Sequence, residues 1–289
     1  MPENFGHTLD RNDGLRLVRH VLDSPVRSID TANGYSDGES ERRIGAGIAE
    51  YGGLPADFLV MTKVDAQGRD YSGARVRTSV RESRERLGVD VLPMVFLHDP
   101  EYHDFAELSG PGGAVETLRA LRAEGEVEHI GLAGGPVQEM SRYLDLGGFE
   151  VLLVHNRWTL VDRSATDVIA QAEDAGIAVV NAAIYGGGLL AKPRSGITSY
   201  MYQPAPEEIL RAVAEMDRLC TEAGTDLATA ALQASVRDDR ISTTVVGLSS
   251  PERLDSLLAS LHADLPASLF EELTDRLPAR HHWVDFRST

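Results

Sequence analysis

Short apolar runs alternate with longer amphipathic stretches along almost the whole chain. Such runs are typical of buried strands and such stretches of packed helices, so the alternation predicts repeated βα units around a parallel sheet. The predicted strands are Val26–Asp30, Phe58–Lys63, Met94–His98, His129–Ala133, Val151–His155, Ala178–Ala183 and Thr243–Leu248. The predicted helices between them include Glu39–Tyr51, Ser72–Leu87, Ala114–Glu124, Ser164–Ala175 and Pro206–Glu222.

The number of predicted strands limits the choice of fold. Seven strands can be counted, whereas a closed (β/α)8 barrel has eight. The missing strand would precede a first helix at about Arg11 to Leu22 and would have to come from Pro2 to His7. We therefore predict an α/β fold, a (β/α)8 TIM barrel whose first strand is short, around Asn4-Phe5-Gly6, or truncated at the N-terminus. Because no linker interrupts the sequence, we expect residues 1–289 to form a single domain.

Four polar residues lie at or just past the ends of three consecutive predicted strands: Asp30, Tyr35, Lys63 and His98. The C-terminal ends of parallel barrel strands share one face, so these residues are expected to converge. An ammonium group favours a neighbouring phenolate, so Lys63 is expected to lower the pKa of Tyr35, with Asp30 keeping Lys63 charged. His98 can hold a substrate oxygen by a hydrogen bond. Each residue alone is better explained as a surface charge, loop anchor or backbone cap, but together they predict proton transfer at an alcohol or carbonyl oxygen.

Composition excludes several classes of partner. The formal net charge of -17 argues against nucleic acid or an anionic membrane surface, because both are recognised by basic patches.

The one cysteine, Cys220, excludes an intramolecular disulfide and fits a reducing compartment. Without a signal-peptide pattern or an apolar run of membrane-spanning length, the chain is expected to be cytoplasmic. His281 and His282 are adjacent, but neighbours on a chain point apart, so no metal site is predicted.

A longer set of short motifs surrounds the four polar residues. The motifs are Asp30-Thr31-Ala32-Asn33-Gly34-Tyr35, Gly38-Glu39-Ser40-Glu41, Thr62-Lys63-Val64, Leu97-His98-Asp99-Pro100, Gly186-Gly187-Gly188-Leu189-Leu190 and Val245-Val246-Gly247-Leu248-Ser249-Ser250. Together they resemble the aldo-keto reductases, a family of NAD(P)-dependent (β/α)8 barrel oxidoreductases. Three stretches are similar to the sugar dehydrogenases of that family, the D-threo-aldose 1-dehydrogenases or L-fucose dehydrogenases. They are His98-Asp99-Pro100, Asn156-Arg157-Trp158-Thr159-Leu160 and the stretch from Asn181 to Ala191.

This resemblance implies an enzyme that transfers a hydride between nicotinamide and an alcohol or carbonyl carbon. It implies Tyr35 as general acid/base, Lys63 and Asp30 as its tuning pair, and His98 as the residue that orients the substrate. The similarity to sugar dehydrogenases favours oxidation of a free aldose, of L-fucose or D-threo-aldose type, to its lactone. Three alternatives stay open: an NADPH-dependent aldehyde or ketone reductase, a nucleotide-binding regulatory barrel with little turnover, and an enzyme that uses Lys63 as a Schiff-base nucleophile.

The resemblance also implies NAD or NADP as cofactor and a small sugar or aldehyde as substrate. The implied cofactor-binding residues are Gly134, His155, Asn181, Ala182, Ala183, Tyr185, Gly187, Gly247, Leu248, Ser249 and Arg253. The implied substrate pocket contains Asn33, Asp99, Trp158 and Trp283. Several cofactor positions depart from the common pattern: Ala133-Gly134 replaces a Ser-Asn pair, His155 replaces a glutamine, and Gly247 replaces a lysine. Because that lysine often binds the 2′-phosphate of NADP, we expect NAD or the use of both nucleotides.

Overall fold

The computed structural model describes residues 9–286. Strands and helices alternate along this range, as the sequence pattern predicts. The short first strand predicted around Asn4-Phe5-Gly6 lies outside the described residues. No helix within residues 9–286 has the length and apolar character needed to cross a membrane.

Among the described residues, the first of two compact units comprises 9–134, Leu146–Glu150 and Leu248–Leu254. Its strands are β1 (Ser28–Asp30), β2 (Leu59–Val64), β3 (Leu92–His98) and β4 (Val127–Gly134). Its helices are α1 (Arg11–Asp23), α2 (Glu39–Tyr51), α3 (Gly73–Leu87), α4 (Phe105–Ser109) and α5 (Ala114–Ala123). The four strands are parallel and pair in chain order. Asp30 and His98 end β1 and β3, and Lys63 is the last residue but one of β2, so all three lie at one edge of the sheet.

The second compact unit comprises Gly135–Asp145, Val151–Gly247 and residues 255–286. Its strands are β5 (Val151–His155), β6 (Ala178–Ala182), a small hairpin of β7 (Ser199–Tyr200) and β8 (Gln203–Pro204), and β9 (Thr243–Val245). Its helices are α6 (Val137–Leu144), α7 (Thr166–Asp174), α8 (Glu207–Glu222), α9 (Leu227–Val236) and α11 (Ala267–Thr274). A further helix, α10 (Pro251–Leu261), starts among the residues of the first unit. Strands β5, β6 and β9 pair in parallel in that order.

Helix bounds follow capping chemistry and agree closely with prediction. The predicted helix Glu39–Tyr51 is confirmed without change. The Ser72 side chain accepts the N–H of Arg75 and so starts α3, while Gly88, at a φ of 72°, ends that helix. Strand bounds differ more, because they depend on pairing with a neighbour. The last predicted strand extends to Leu248, whereas pairing of β9 with β6 stops at Val245.

Each unit has its own apolar core. In the first unit it is formed by Val60, Val76, Val80, Val95 and Phe96, each no more than 1% exposed. In the second unit, Tyr200, Met216, Leu190 and Leu273 belong to one buried cluster.

The parallel strands, each followed by at least one helix, confirm the predicted α/β class. The single domain over residues 1–289 stays a prediction.

Candidate active site

Lys63 is a buried ammonium group with a complete set of acceptors. Its side chain is 2% exposed, and Nζ donates to both carboxylate oxygens of Asp30 and to the carbonyl oxygen of Thr31, each at 2.7 Å. Burial lowers the pKa of Lys63, but the negative charge of Asp30 and the Tyr35 hydroxyl outweigh it and leave the pKa above its ordinary value. Lys63 is therefore a permanent positive charge at neutral pH.

Tyr35 lies above this ion pair, in the loop that follows β1. The Lys63 Nζ is 4.8 Å from the centre of the Tyr35 ring. Burial raises the pKa of Tyr35, the charges of Asp30 and Asp99 raise it further, and Lys63 lowers it. The net pKa of Tyr35 lies above its ordinary value, whereas the sequence led us to expect it below. The lowering effect of Lys63 is present, but burial of the phenol opposes it.

The Tyr35 loop is fixed to α3 by a buried polar network around Asn33. The Asn33 amide nitrogen lies 3.2 Å from both the Ser79 carbonyl oxygen and a Glu82 carboxylate oxygen. Arg75 donates to the amide oxygen of Asn33 at 2.8 Å. The substrate-pocket role predicted for Asn33 is at odds with these contacts, because its amide is satisfied within the protein. These contacts fix the path of the chain into Tyr35.

His98 ends β3 and is held at both its main chain and its ring. The Tyr71 hydroxyl accepts the N–H of His98 at 2.9 Å and donates to the Val64 carbonyl oxygen at 2.7 Å. The ring of His98 meets that of Tyr35 edge-on, with 5.8 Å between the ring centroids. Its Nδ1 lies 2.6 Å from Oδ1 of Asp65. The ring is therefore fixed beside Tyr35.

Asp65 is a residue of this site that the sequence predictions missed. Its second oxygen, Oδ2, accepts the N–H of Gly34 at 2.5 Å. Burial raises the pKa of Asp65, but the hydrogen bond and charge of His98 and the N–H of Gly34 outweigh it, so the pKa lies below its ordinary value. A signal was present in the sequence: Asp65 follows Lys63 by two residues, and alternate residues of an extended segment point to the same side.

Asp99 lies next to His98 and faces solvent more than the other acids of this site. Its side chain is 40% exposed, and its Oδ1 is 3.7 Å from Nε2 of His98. Its φ of 45° is left-handed, and its N–H donates to the Ala133 carbonyl oxygen at 2.8 Å. This geometry is compatible with the substrate-pocket role predicted for Asp99.

The two tryptophans predicted in the substrate pocket have internal partners in the second unit. Trp158 is 6% exposed and donates from Nε1 to Asp238 at 3.0 Å. Two guanidinium groups stack on its ring, Arg163 at 4.4 Å and Arg240 at 4.7 Å. Trp283 donates from Nε1 to the Pro278 carbonyl oxygen at 2.7 Å. The contacts of Trp158 are at odds with its predicted role, because its ring and its N–H are already occupied.

The predicted cofactor residues of the second unit lie at and after the ends of β5 and β6. The Asn181 amide nitrogen donates to the Trp158 carbonyl oxygen and to the Ser235 hydroxyl, each at 2.9 Å. Oδ1 of Asn181 and Oδ1 of Asn156 are buried acceptors without a partner among residues 9–286. His155 and Ala182 are the last residues of β5 and β6, and Ala183, Tyr185 and Gly187 follow β6. Burial raises the pKa of Tyr185 to about 12, so its phenol stays neutral.

The remaining predicted cofactor residues lie around the start of α10 and at the end of β4. Gly134 is buried as the last residue of β4. Gly247 has open space where a Cβ would stand. Leu248 and Ser249 precede α10, and the exposed Arg253 lies in its first turn. The Ser250 hydroxyl accepts the N–H of Arg253 at 3.3 Å.

Comparison with known proteins identifies the family. Residues 3–277 match the aldo/keto reductase family. The chain belongs to this family. It is therefore an NAD(P)-dependent oxidoreductase that acts on CH–OH groups, with NAD or NADP as its cofactor.

Three similar proteins give the range of the resemblance. The D-threo-aldose 1-dehydrogenase of a Pseudomonas species is 28% identical, over 94% of this chain and 90% of that protein. The pyridoxal 4-dehydrogenase of Microbacterium luteolum is 26% identical, over 92% of this chain and 88% of that protein. Among solved structures, the holo form of an aldo-keto reductase from Bacillus halodurans superposes with a TM-score of 0.78 and 20% identity, over 98% of this chain and 93% of that one. That superposition, together with the family match, confirms the predicted (β/α)8 barrel fold.

The donor and acceptor groups of the chain fit a nicotinamide dinucleotide. Oδ1 of Asn156 and Oδ1 of Asn181 are buried and have no partner in the described part of the chain, and the amide NH2 of the cofactor's carboxamide is a donor of the kind that would satisfy them. A helix N-terminus with an arginine is suited to bind a phosphate, and α10 has Arg253 in its first turn. The glycine at 247 leaves space for close approach of a ligand to the backbone.

Proposed function

We propose that the protein oxidises a free, uncharged aldose of D-threo-aldose or L-fucose type to its lactone. The observation that carries this proposal is the arrangement of Tyr35 directly above the Lys63–Asp30 pair, with the His98 ring edge-on beside it. Such a site moves a proton at a hydroxyl oxygen while the hydrogen on the same carbon leaves as hydride. NAD(P), when bound, supplies the acceptor of that hydride.

Each residue of the proposed catalytic tetrad has a separate task; the tetrad is Tyr35, Lys63, Asp30 and His98. Tyr35 takes the proton of the anomeric hydroxyl in oxidation and returns a proton to the oxygen in reduction. Lys63 stabilises the phenolate form of Tyr35, and Asp30 holds Lys63 charged and in place. His98 holds the substrate oxygen in reach of Tyr35. The balanced reaction converts aldose and NAD(P)+ to lactone, NAD(P)H and one proton.

The charge of the site supports an uncharged substrate. Three carboxylates, Asp30, Asp65 and Asp99, lie within the same cluster as the single ammonium group of Lys63. An anionic substrate would meet net repulsion there, whereas the hydroxyls of a sugar can donate to the half-exposed Asp99. The resemblance to a D-threo-aldose 1-dehydrogenase is consistent with a neutral sugar.

Reduction of an aldehyde or ketone by NADPH is the second candidate, and the ionisation of Tyr35 favours it. The pKa of Tyr35 lies above its ordinary value, chiefly through burial, so the phenol is protonated at neutral pH and ready to act as an acid. The Schiff-base alternative has less support. Nζ of Lys63 is protonated and held by three oxygens, which removes the lone pair that a nucleophile needs.

The test is a panel of free aldoses and simple aldehydes, assayed with NAD(H) and NADP(H). We expect turnover of a neutral aldose, with kcat/KM at least about 100-fold lower in Tyr35→Phe because a general acid/base is lost. Tyr51→Phe is the matched control, since Tyr51 is an exposed tyrosine on α2. Unchanged turnover in Tyr35→Phe would overturn the mechanism, and nucleotide binding without any turnover would support the regulatory alternative.

A further inference from the structure

Asp65 is outside the proposed tetrad, although its carboxylate contacts two parts of the site. Its Oδ1 lies 2.6 Å from Nδ1 of His98, and its Oδ2 accepts the N–H of Gly34, one residue before Tyr35, at 2.5 Å. A Cβ at position 34 would stand only 3.0 Å from Oδ2, so glycine permits this close approach. Asp65 thus links the His98 ring to the Tyr35 loop.

Building on the proposed function, we propose that Asp65 is a positioning residue that keeps a proton on Nδ1 of His98. Nε2 of His98 can then donate a hydrogen bond to a substrate oxygen only while the ring is an imidazolium. The enzyme would therefore need His98 charged, with Asp65 as its counter-ion, to hold a carbonyl oxygen for protonation by Tyr35.

The donors and acceptors of the two side chains determine where the proton lies. An ionised carboxylate only accepts hydrogen bonds, so a 2.6 Å contact requires the proton to be on Nδ1. The pKa of Asp65 lies below its ordinary value, which supports the ionised form. A neutral imidazole carries one N–H, and with that N–H directed to Asp65 its Nε2 has a lone pair. Only the doubly protonated ring offers an N–H at Nε2.

Asp65 occupies Nδ1, so Nε2 is the ring nitrogen left for a substrate oxygen. The Tyr71 hydroxyl binds the main chain of His98 and leaves the ring free of that contact. The charged or titratable groups around the ring are Asp65 at Nδ1, Asp99 at 3.7 Å from Nε2, Tyr35 at 5.8 Å between ring centroids and, behind Tyr35, Lys63 with its partner Asp30.

Replacement of Asp65 by asparagine separates this role from a structural one. The N–H of Gly34 still needs an acceptor, so the amide oxygen of the variant takes that place and the amide NH2 faces Nδ1 of His98. Nδ1 must then accept, and the proton of the neutral ring moves to Nε2. The neutral ring of Asp65→Asn can therefore donate to substrate, which the neutral ring of the wild type cannot.

The first experiment is 15N NMR of the histidine side chains, with His98→Gln used to assign the His98 signals. We expect the neutral ring to carry its proton on Nδ1 in the wild type and on Nε2 in Asp65→Asn. A wild-type ring protonated on Nε2 would overturn the proposal, even if the variant fails to fold. This readout is independent of turnover, so activity retained in Tyr35→Phe would refute the proposed function and leave the NMR result standing.

The second experiment is the pH profile of kcat/KM for reduction of a small neutral aldehyde. In the wild type we expect kcat/KM to fall as the imidazolium loses its proton. In Asp65→Asn this decrease of kcat/KM with rising pH should be absent. At acidic pH, kcat/KM of the variant should be lower than that of the wild type by about tenfold, because a charge-assisted hydrogen bond is replaced by a neutral one. Asp57→Asn, which removes an exposed carboxylate of the first unit, should keep the wild-type profile. A decrease that persists unchanged in Asp65→Asn would contradict the proposal.

Discussion

Replacement of Lys63 by methionine separates the stabilising role of the buried ion pair from its chemical role. The ammonium group is 2% exposed and donates to two oxygens of Asp30 and to the Thr31 carbonyl oxygen. Methionine has a similar length and no charge. Lys63→Met therefore leaves the Asp30 carboxylate, which is 12% exposed, without its cation.

The expected loss of stability is large for one substitution. Removing one partner of a buried ion pair costs about 3–5 kcal/mol, because the remaining charge is desolvated and unpaired. For a chain of this size, that corresponds to a drop in Tm of about 10 °C. In the double variant Lys63→Met with Asp30→Leu no charge remains buried, so its stability should return to within about 1 kcal/mol of the wild type. Catalysis should not return, because Tyr35 has lost its ammonium neighbour.

The assays are urea or thermal unfolding and kcat for the best substrate of the panel. Lys192→Met is the control, since Lys192 is the other lysine of the chain and is exposed; its effect should stay within about 0.5 kcal/mol. We expect kcat of both Lys63 variants to be at least about 100-fold below the wild type. A loss of unfolding free energy below about 1 kcal/mol in Lys63→Met, or a recovered kcat in the double variant, would contradict these roles of Lys63.

Three further predictions concern the buried ion pair of Asp285, helix packing and acid stability. Asp285→Ala should cost about 3 kcal/mol in urea unfolding, because Arg157 is 5% exposed and loses its carboxylate partner at 2.9 Å; a loss below about 0.5 kcal/mol would contradict this. Gly45→Ala should cost about 1–3 kcal/mol by the same assay, since the added methyl group would overlap the Arg86 carbonyl oxygen; unchanged stability would show that α2 and α3 have room to move apart. The pKa of Asp65 is lower in the folded chain than its ordinary value. Its ionised form therefore stabilises the fold above about pH 4, and this stability is lost as the pH falls through the pKa of the folded state. The Tm of Asp65→Asn should therefore decrease less with acid than the Tm of the wild type.

The sequence was sufficient to predict the strand ends that carry the site. Asp30, Lys63 and His98 each close an apolar run, and burial of such runs in a parallel sheet brings their ends to one edge. Helix bounds were also predictable, because caps such as Ser72 and Gly88 act locally.

The site predictions that the contacts disfavour, and the residue that was missed, concern side chains whose role depends on partners distant in sequence. The amide of Asn33 is satisfied by α3, more than forty residues further on. Trp158 is held by Asp238, eighty residues away. The same limitation hid Asp65, whose contacts with His98 and Gly34 each span more than thirty residues. Strand periodicity alone indicated only the side to which its carboxylate points.

Transfer of hydrogen from the anomeric carbon of a sugar to the cofactor can be measured directly, and it tests the proposed oxidation of an aldose. The purified protein is incubated with NAD+ or NADP+ and the best aldose of the panel, deuterated at C1, and the reduced cofactor is analysed by mass spectrometry. Oxidation to the lactone predicts that each molecule of reduced cofactor gains one deuterium and that Tyr35→Phe forms at least about 100-fold less of it per unit time. Reduced cofactor without deuterium, or equal formation by Tyr35→Phe, would contradict the account.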